Sequence, residues 1–282
     1  MAEQPREITL TSDGVRLSGE ELGAGAPFVL LHGLSATRRY VVLGSRTLER
    51  AGHRVISYDA RGHGRSDPAR DREYGYEHLA RDLAAVLDAT GPQRAILAGA
   101  SMGAHTALAL ALEHPERVAG LALITPAFDP DRPLTAGQLE RWDGLARGLR
   151  DGGLDGFVDA YDLEEVPEVW RATLEKVLRQ RLAAHEHPEA VADALEVVPR
   201  SAPFADFARL AEIDVPCLVI GSRDEADPGH PLSVAERYAA TIPGAELLVE
   251  DAGPPPHSPL AWQGGQLSRA LAELAVRCHG RT

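Results

Sequence analysis

The sequence predicts an α/β protein: a mostly parallel central sheet flanked by helices, with one helical insertion. Three observations carry this. Short apolar runs recur along the chain, and helix-patterned segments separate them. The runs are nearly continuous rather than alternating, as expected of strands covered on both faces. One long stretch, 129–210, is helix-patterned throughout and holds no strand-like run.

The elements follow in order. "EITL" and "VRLSGEEL" flank Ser12-Asp13-Gly14 and predict a hairpin at the start of the sheet. Pro27–Leu31, His53–Tyr58, Arg94–Gly99, Gly120–Thr125, Pro216–Gly221 and Ala245–Glu250 predict the remaining strands. Leu79, Leu83, Val86 and Leu87 fall on one helical face, as do Leu267, Leu271 and Leu274. Met102–His114 is apolar nearly all round and predicts a central, buried helix. The expected division is a core of residues 1–128 and 211–282 with a helical cap of 129–210 over the C-terminal edge of the sheet, where α/β folds place ligands.

Bulk properties exclude several functions. The 282 residues carry a net charge of −13, so no basic stripe is expected for nucleic acid or for an anionic membrane surface. Two cysteines, Cys217 and Cys278, do not make a disulfide framework. Cys217 sits in an apolar run and is expected as a buried thiol. The start, "MAEQPREITL", has no basic stretch leading into an apolar one, and no run is long enough to span a bilayer. The expectation is a cytoplasmic protein.

The chemistry centres on "GASMG", Gly99–Gly103. A serine between a strand and a buried helix sits on a sharp turn, so the flanking positions must be small. Such a turn aims Ser101 at free helix N–H groups. With "LLHGLS" (Leu30–Ser35) and "YDARGHGRSD" (Tyr58–Asp67), the chain resembles the α/β-hydrolase superfamily, in its serine esterase and lipase-like branch.

The resemblance implies a Ser–acid–His order. Ser101 is the expected nucleophile, and the backbone N–H groups of Leu34 and Met102 are the expected oxyanion-hole donors. For the acid, Asp224 after the strand ending at Gly221 is preferred; Asp227 in the same loop and Asp129 after an earlier strand are the rivals. For the base, the resemblance points to His257 after the last strand, in "AGPPPHSPL". Pro256 replaces the glycine usual before this histidine. Three prolines hold the backbone extended before His257, and Ser258 and Pro259 are placed to start the last helix. His230 shares the loop of the acid, and the acid slot precedes it too closely for it to reach back easily. His32 and His63 are expected to orient or pack.

A serine nucleophile sets the chain apart from the dehalogenases and epoxide hydrolases of the superfamily, which carry aspartate there. Relatives with methionine after the serine include esterases, enol-lactonases, monoacylglycerol lipases, C–C bond hydrolases and perhydrolases. The expected activity is hydrolysis of small to medium apolar esters through an acyl-enzyme, with lactone hydrolysis, acyl transfer or C–C cleavage as alternatives and a non-catalytic ligand-binding protein as the remaining reading. Trp142, Tyr161 and Trp170 of the insertion are candidates for substrate contact. No cofactor or metal is expected: "HEH" (His185–His187) lacks metalloenzyme spacing and is read as a solvated helix end.

Overall fold

The computed structural model describes residues 4–223, 227, 229–251 and 259–279. Two strands open the chain, β1 (Arg6–Ser12) and β2 (Val15–Leu22), paired antiparallel through the turn at Asp13-Gly14. Both turn residues have positive φ, 47° and 76°, the conformation that matches the twist of a tight hairpin. β3 (Ala26–Leu31), β4 (His53–Tyr58), β5 (Ala95–Ala100), β6 (Val118–Ile124), β7 (Cys217–Ile220) and β8 (Glu246–Leu248) complete an eight-stranded sheet. The order is β1-β2-β4-β3-β5-β6-β7-β8, and every pair from β4 onward is parallel.

Helices cover both faces. The short α1 (Thr47–Arg50), α2 (Tyr76–Thr90) and α3 (Met102–Glu113) connect the first half. α3 is buried along nearly its whole length, which explains why its apolar residues show no face. The connection from β6 to β7 is all helical: α4 (Ala136–Ala160), α5 (Glu168–Leu182) and α6 (Pro188–Val197), with short 3-10 turns. α4 starts at a capping box of Thr135 and Gln138 and breaks at Gly153. α7 (Leu232–Thr241) and α8 (Gly264–His279) finish the core. The last helix therefore starts later than expected from Pro259, which instead precedes a 3-10 turn over Leu260–Trp262.

Three buried clusters follow from this layering. One fills the sheet face beneath α2, α3 and α7, and another the opposite face beneath α1 and α8. The third joins Leu34, Ala60 and Met102 of the core to Leu145, Phe157, Leu178 and Val191 of the helical insertion. The insertion thus packs on loops at the C-terminal ends of the strands. Cys217 is a buried free thiol whose pKa burial pushes up to about 12. Among the described residues, no helix is long and apolar enough to cross a membrane, and no cluster of metal-ligating side chains forms.

Candidate active site

Ser101 sits between β5 and α3 at φ 51°, ψ −112°, a conformation rarely open to a side-chain-bearing residue. Its backbone is fixed on both sides: Ser101 N–H donates to the Ile124 carbonyl at 2.9 Å, and the Ser101 carbonyl accepts from His105 N–H at 3.1 Å. The glycines around it are sterically required. A Cβ on Gly99 would lie 2.2 Å from the Gly103 carbonyl carbon, and one on Gly103 would lie 2.3 Å from the Leu31 carbonyl oxygen. The turn closes only because both positions lack a side chain, as the sequence predicted.

The loop after β3 lies against the serine. A Cβ on Gly33 would come within 3.6 Å of the Ser101 Cβ. Behind it, Ala60 N–H donates to His32 Nε2 at 2.9 Å, so His32 Nδ1–H donates to the Gly33 carbonyl at 2.8 Å. Burial, reinforced by His63, holds the His32 pKa down to about 3. His63 faces the Leu34 carbonyl with Nε2 at 2.6 Å and the Arg61 carbonyl with Nδ1 at 2.9 Å. Burial lowers its pKa as well, against the pull of these two carbonyls, and the ring braces the loop. Both histidines support the backbone, in the roles expected for them.

Two expectations about other histidines are corrected. His185 is not a solvated helix end. Its Nδ1 accepts from Gly64 N–H at 2.9 Å, its ring stands edge-on to His63, and burial holds its pKa down to about 3. The sequence concealed this because its partners lie over a hundred residues away.

The second correction concerns His230, which reaches both Asp227 in its own loop and Ser101. His230 Nδ1 is 2.8 Å from Asp227 Oδ1, and His230 Nε2 is 2.8 Å from Ser101 Oγ. A carboxylate only accepts, so Nδ1 carries the proton and Ser101 O–H donates to Nε2. The expectation that His230 follows the acid too closely overlooked turn geometry. His230 N–H donates to the Asp227 carbonyl at 3.1 Å, and the ends of a four-residue turn lie within about 7 Å of each other. The signal was present in the sequence of residues 227–230, "DPGH", because proline and glycine favour turns.

The electrostatics suit a base. Burial disfavours the His230 imidazolium, but Asp227 outweighs it and raises the pKa above the usual imidazole value; Arg181 pulls the other way. Asp227 is likewise penalised by burial, yet His230 and Arg181 hold its carboxyl below the usual range. Asp224 and His257 lie outside the described residues. Asp129, the third candidate acid, is committed elsewhere: Arg237 Nη1 donates to its two oxygens at 2.7 and 2.8 Å.

The insertion brings its own groups. Arg181 of α5 sits 5.4 Å above the Tyr40 ring, and its charge is felt at Asp227 and His230. Burial lowers its pKa, its Nε is buried without a hydrogen-bond partner, and among the described residues no carboxylate pairs with it. Tyr161 lies close enough to Asp227 to feel its charge. Trp170 packs edge-on to Trp262 at 5.8 Å with its indole N–H buried and unpartnered. Trp142 packs against the apolar cluster that joins the insertion to the core.

Comparison with known proteins shows the family and the fold. Residues 26–163 match the alpha/beta hydrolase fold. The chain is 34% identical over 248 residues to a 2-hydroxy-6-oxononadienedioate/2-hydroxy-6-oxononatrienedioate hydrolase of Pseudomonas putida, covering 83% of each chain. It is 33% identical to the protein of the same description from Burkholderia vietnamiensis, covering 86% of each. Among solved structures, a thermophilic esterase from Thermogutta terrifontis superposes with a TM-score of 0.77 at 28% identity, over 98% of this chain and 100% of that one.

Proposed function

Because this chain belongs to the α/β-hydrolase fold family, we propose that it is a serine hydrolase that cleaves carboxylic ester bonds of small to medium substrates through an acyl-enzyme. The observation that carries the reading is Ser101 on its strained turn with an imidazole nitrogen 2.8 Å from its hydroxyl. That contact is what a weak nucleophile needs to become a strong one. Ser101 Oγ attacks the carbonyl carbon while its proton passes to the imidazole. The negative charge that develops on the carbonyl oxygen is held by Leu34 N–H and Met102 N–H, each worth roughly 3 kcal/mol in such a site. The imidazolium returns its proton to the leaving alcohol, and water then releases the acyl group by the same route. Residues 129–210 act as the cap that shapes the substrate site, with Tyr161, which feels the Asp227 charge, as its first candidate for substrate contact. The substrate is a small molecule, and the residues named here need no metal or cofactor for this route.

A second reading is favoured by one observation. Arg181 is a half-buried guanidinium with its Nε sealed from solvent and no carboxylate partner among the described residues, and its charge reaches Asp227 and His230. A buried cation is costly unless an anion completes it. A substrate carboxylate is the group that would do so, in the bidentate geometry guanidinium favours. The two curated relatives are named for hydrolysing a dicarboxylate. On this reading the same serine cleaves a C–C bond beside a carbonyl in an anionic substrate.

One experiment tests both. Purified protein and Ser101→Ala are assayed on neutral p-nitrophenyl esters of rising chain length, on mono-esters of dicarboxylic acids, and on a 2-hydroxy-6-oxo dienoate. A loss of roughly 10⁴–10⁶ in kcat is expected for Ser101→Ala. Equal slow turnover by both proteins would sink the serine-hydrolase reading. A preference for anionic substrates, with KM raised roughly tenfold or more in Arg181→Gln, selects the second reading; indifference to substrate charge selects the first.

A further inference from the structure

We infer that Tyr76 and His105 are positioning residues of this site: together they tie both chain crossings of the helical segment between β6 and β7 to the helix that follows Ser101. This rests on the reading above that residues 129–210 cap the serine and shape what reaches it.

A histidine in an apolar helix is the starting point. α3 is buried from Met102 to Leu112, and His105 and Thr106 are the polar residues of that stretch. Thr106 satisfies itself inside the helix, donating to the Met102 carbonyl at 2.9 Å. His105 does not. A buried imidazole costs free energy unless its ring nitrogens find partners, and here the partners of both lie outside α3. Nε2 accepts from Ala127 N–H and Phe128 N–H, each at 3.1 Å. Nδ1 therefore carries the proton and donates to Tyr76 Oη at 3.0 Å. Burial, with a smaller push from His230, holds the His105 pKa down to about 3, so the ring stays neutral and keeps this tautomer.

Ala127 and Phe128 belong to the outgoing crossing, just after β6. Phe128 is held in three ways. Its N–H donates to His105, its carbonyl accepts from Tyr238 O–H at 2.8 Å, and its ring stands edge-on to Phe204 at 5.1 Å. Phe204 belongs to the returning crossing, after α6. In that same crossing, Ser201 Oγ accepts from Tyr76 N–H at 2.9 Å. Gly75 at the start of α2 has no side chain to cap the helix, so Ser201 supplies the cap from 125 residues away. Tyr76 thus holds the returning crossing with its backbone and the outgoing one, through His105, with its hydroxyl. His105 N–H also donates to the Ser101 carbonyl at 3.1 Å, which puts the junction one helical turn from the serine. Tyr76 and His105 are 5% and 4% exposed, so bulk water does not stand in for these bonds.

A packed segment shifts about the few residues that connect it to the core. With both connections fixed to one tyrosine–histidine pair against the helix of the serine, the segment and Ser101 keep one relative position. Loosening the pair lets the segment drift, and the loss grows with the length of substrate that must span from the serine to the segment.

The test compares His105→Leu, His105→Gln and Tyr76→Phe in the full chain, with circular dichroism as the check of folding. Glutamine keeps a side-chain oxygen for the two N–H groups; leucine does not. Two readouts are taken: hydrogen exchange of peptides covering 125–129, 201–204 and β5, and kinetics on p-nitrophenyl acetate and octanoate. His105→Leu is expected to speed exchange at 125–129 roughly tenfold or more, with a smaller rise at 201–204 through Phe128 and Phe204 and no change in β5. KM for the octanoate should rise roughly five- to tenfold, against about twofold or less for the acetate. His105→Gln should recover most of both effects, and Tyr76→Phe should show smaller shifts of the same sign. Unchanged exchange at 125–129 in His105→Leu, equal losses on the two esters, or no recovery by glutamine would each overturn the positioning role. Where His105→Leu fails to fold, Tyr76→Phe decides: faster exchange at 125–129 supports the role, and unchanged exchange overturns it. No turnover of either ester by the unmodified protein would overturn the ester-hydrolase reading, while the exchange data would still decide whether the pair holds the crossings.

Discussion

At the scale of single residues, Ser101 O–H donates to His230, and Asp227 raises the pKa of that imidazole; on the proposed serine-hydrolase route His230 is the base. The base must be neutral to accept a proton. Asp227 raises the His230 pKa, so kcat/KM should fall on acidification at a pH above the ordinary imidazole range near 6.5. Asp227→Asn removes the neighbour that, among the described residues, favours the imidazolium, leaving burial and Arg181, which both oppose it. The acid limb of the pH–kcat/KM profile should therefore move to lower pH in Asp227→Asn, and the plateau should drop by roughly 10²–10⁴ as Nδ1 loses its carboxylate. A limb that stays in place would mean that another acid orients the base.

At the scale of elements, the loop of residues 59–66 joins the site to the helices around it. Arg61 and Asp82 of α2 are both fully buried and make two bonds of 2.7 Å, while Arg61 also donates to the Glu73 carbonyl. Removing one member of such a pair leaves an uncompensated charge, at a cost of about 3–5 kcal/mol. Asp82→Ala should lower the urea midpoint accordingly; a change under about 1 kcal/mol would show that water reaches the pair. The same loop anchors the insertion. Gly64 N–H donates to His185, Glu186 N–H donates to the Gly64 carbonyl at 2.8 Å, and nearby Arg72 pairs with Glu196. His63 touches both the Leu34 carbonyl and the His185 ring, so one loop braces the serine's neighbour and holds the helical segment between β6 and β7.

Over the whole molecule, buried histidines make the fold sensitive to acid. His32, His105 and His185 have pKa values held down to about 3, chiefly by burial. In the unfolded chain each returns to about 6.5. Between those values the unfolded state binds protons that the folded state does not, so stability falls as pH drops from about 6.5 toward 3. His230, with its raised pKa, works in the opposite sense and offsets a small part of this. The urea midpoint should be clearly lower at pH 5 than at pH 7.5. Equal midpoints would mean that these rings are hydrated in the folded protein.

The sequence by itself determined the layer architecture and the strained turn that carries Ser101. Continuous apolar runs report burial on both strand faces, and a serine between two glycines at a strand–helix junction admits few backbone conformations. These are local consequences of chain sterics, and local sterics are legible in a sequence. Only the tertiary structure decided which side chains gather around Ser101. His230 was set aside because adjacency in sequence looked like a barrier, whereas the turn at Asp227–His230 and the order β5-β6-β7 bring its ring to the serine. His185 read as solvated because its partners, His63 and Gly64, are remote in the chain. Half-buried Arg181 showed no signal, because an arginine on a helix reveals neither its depth nor its missing partner until the insertion is folded onto the core.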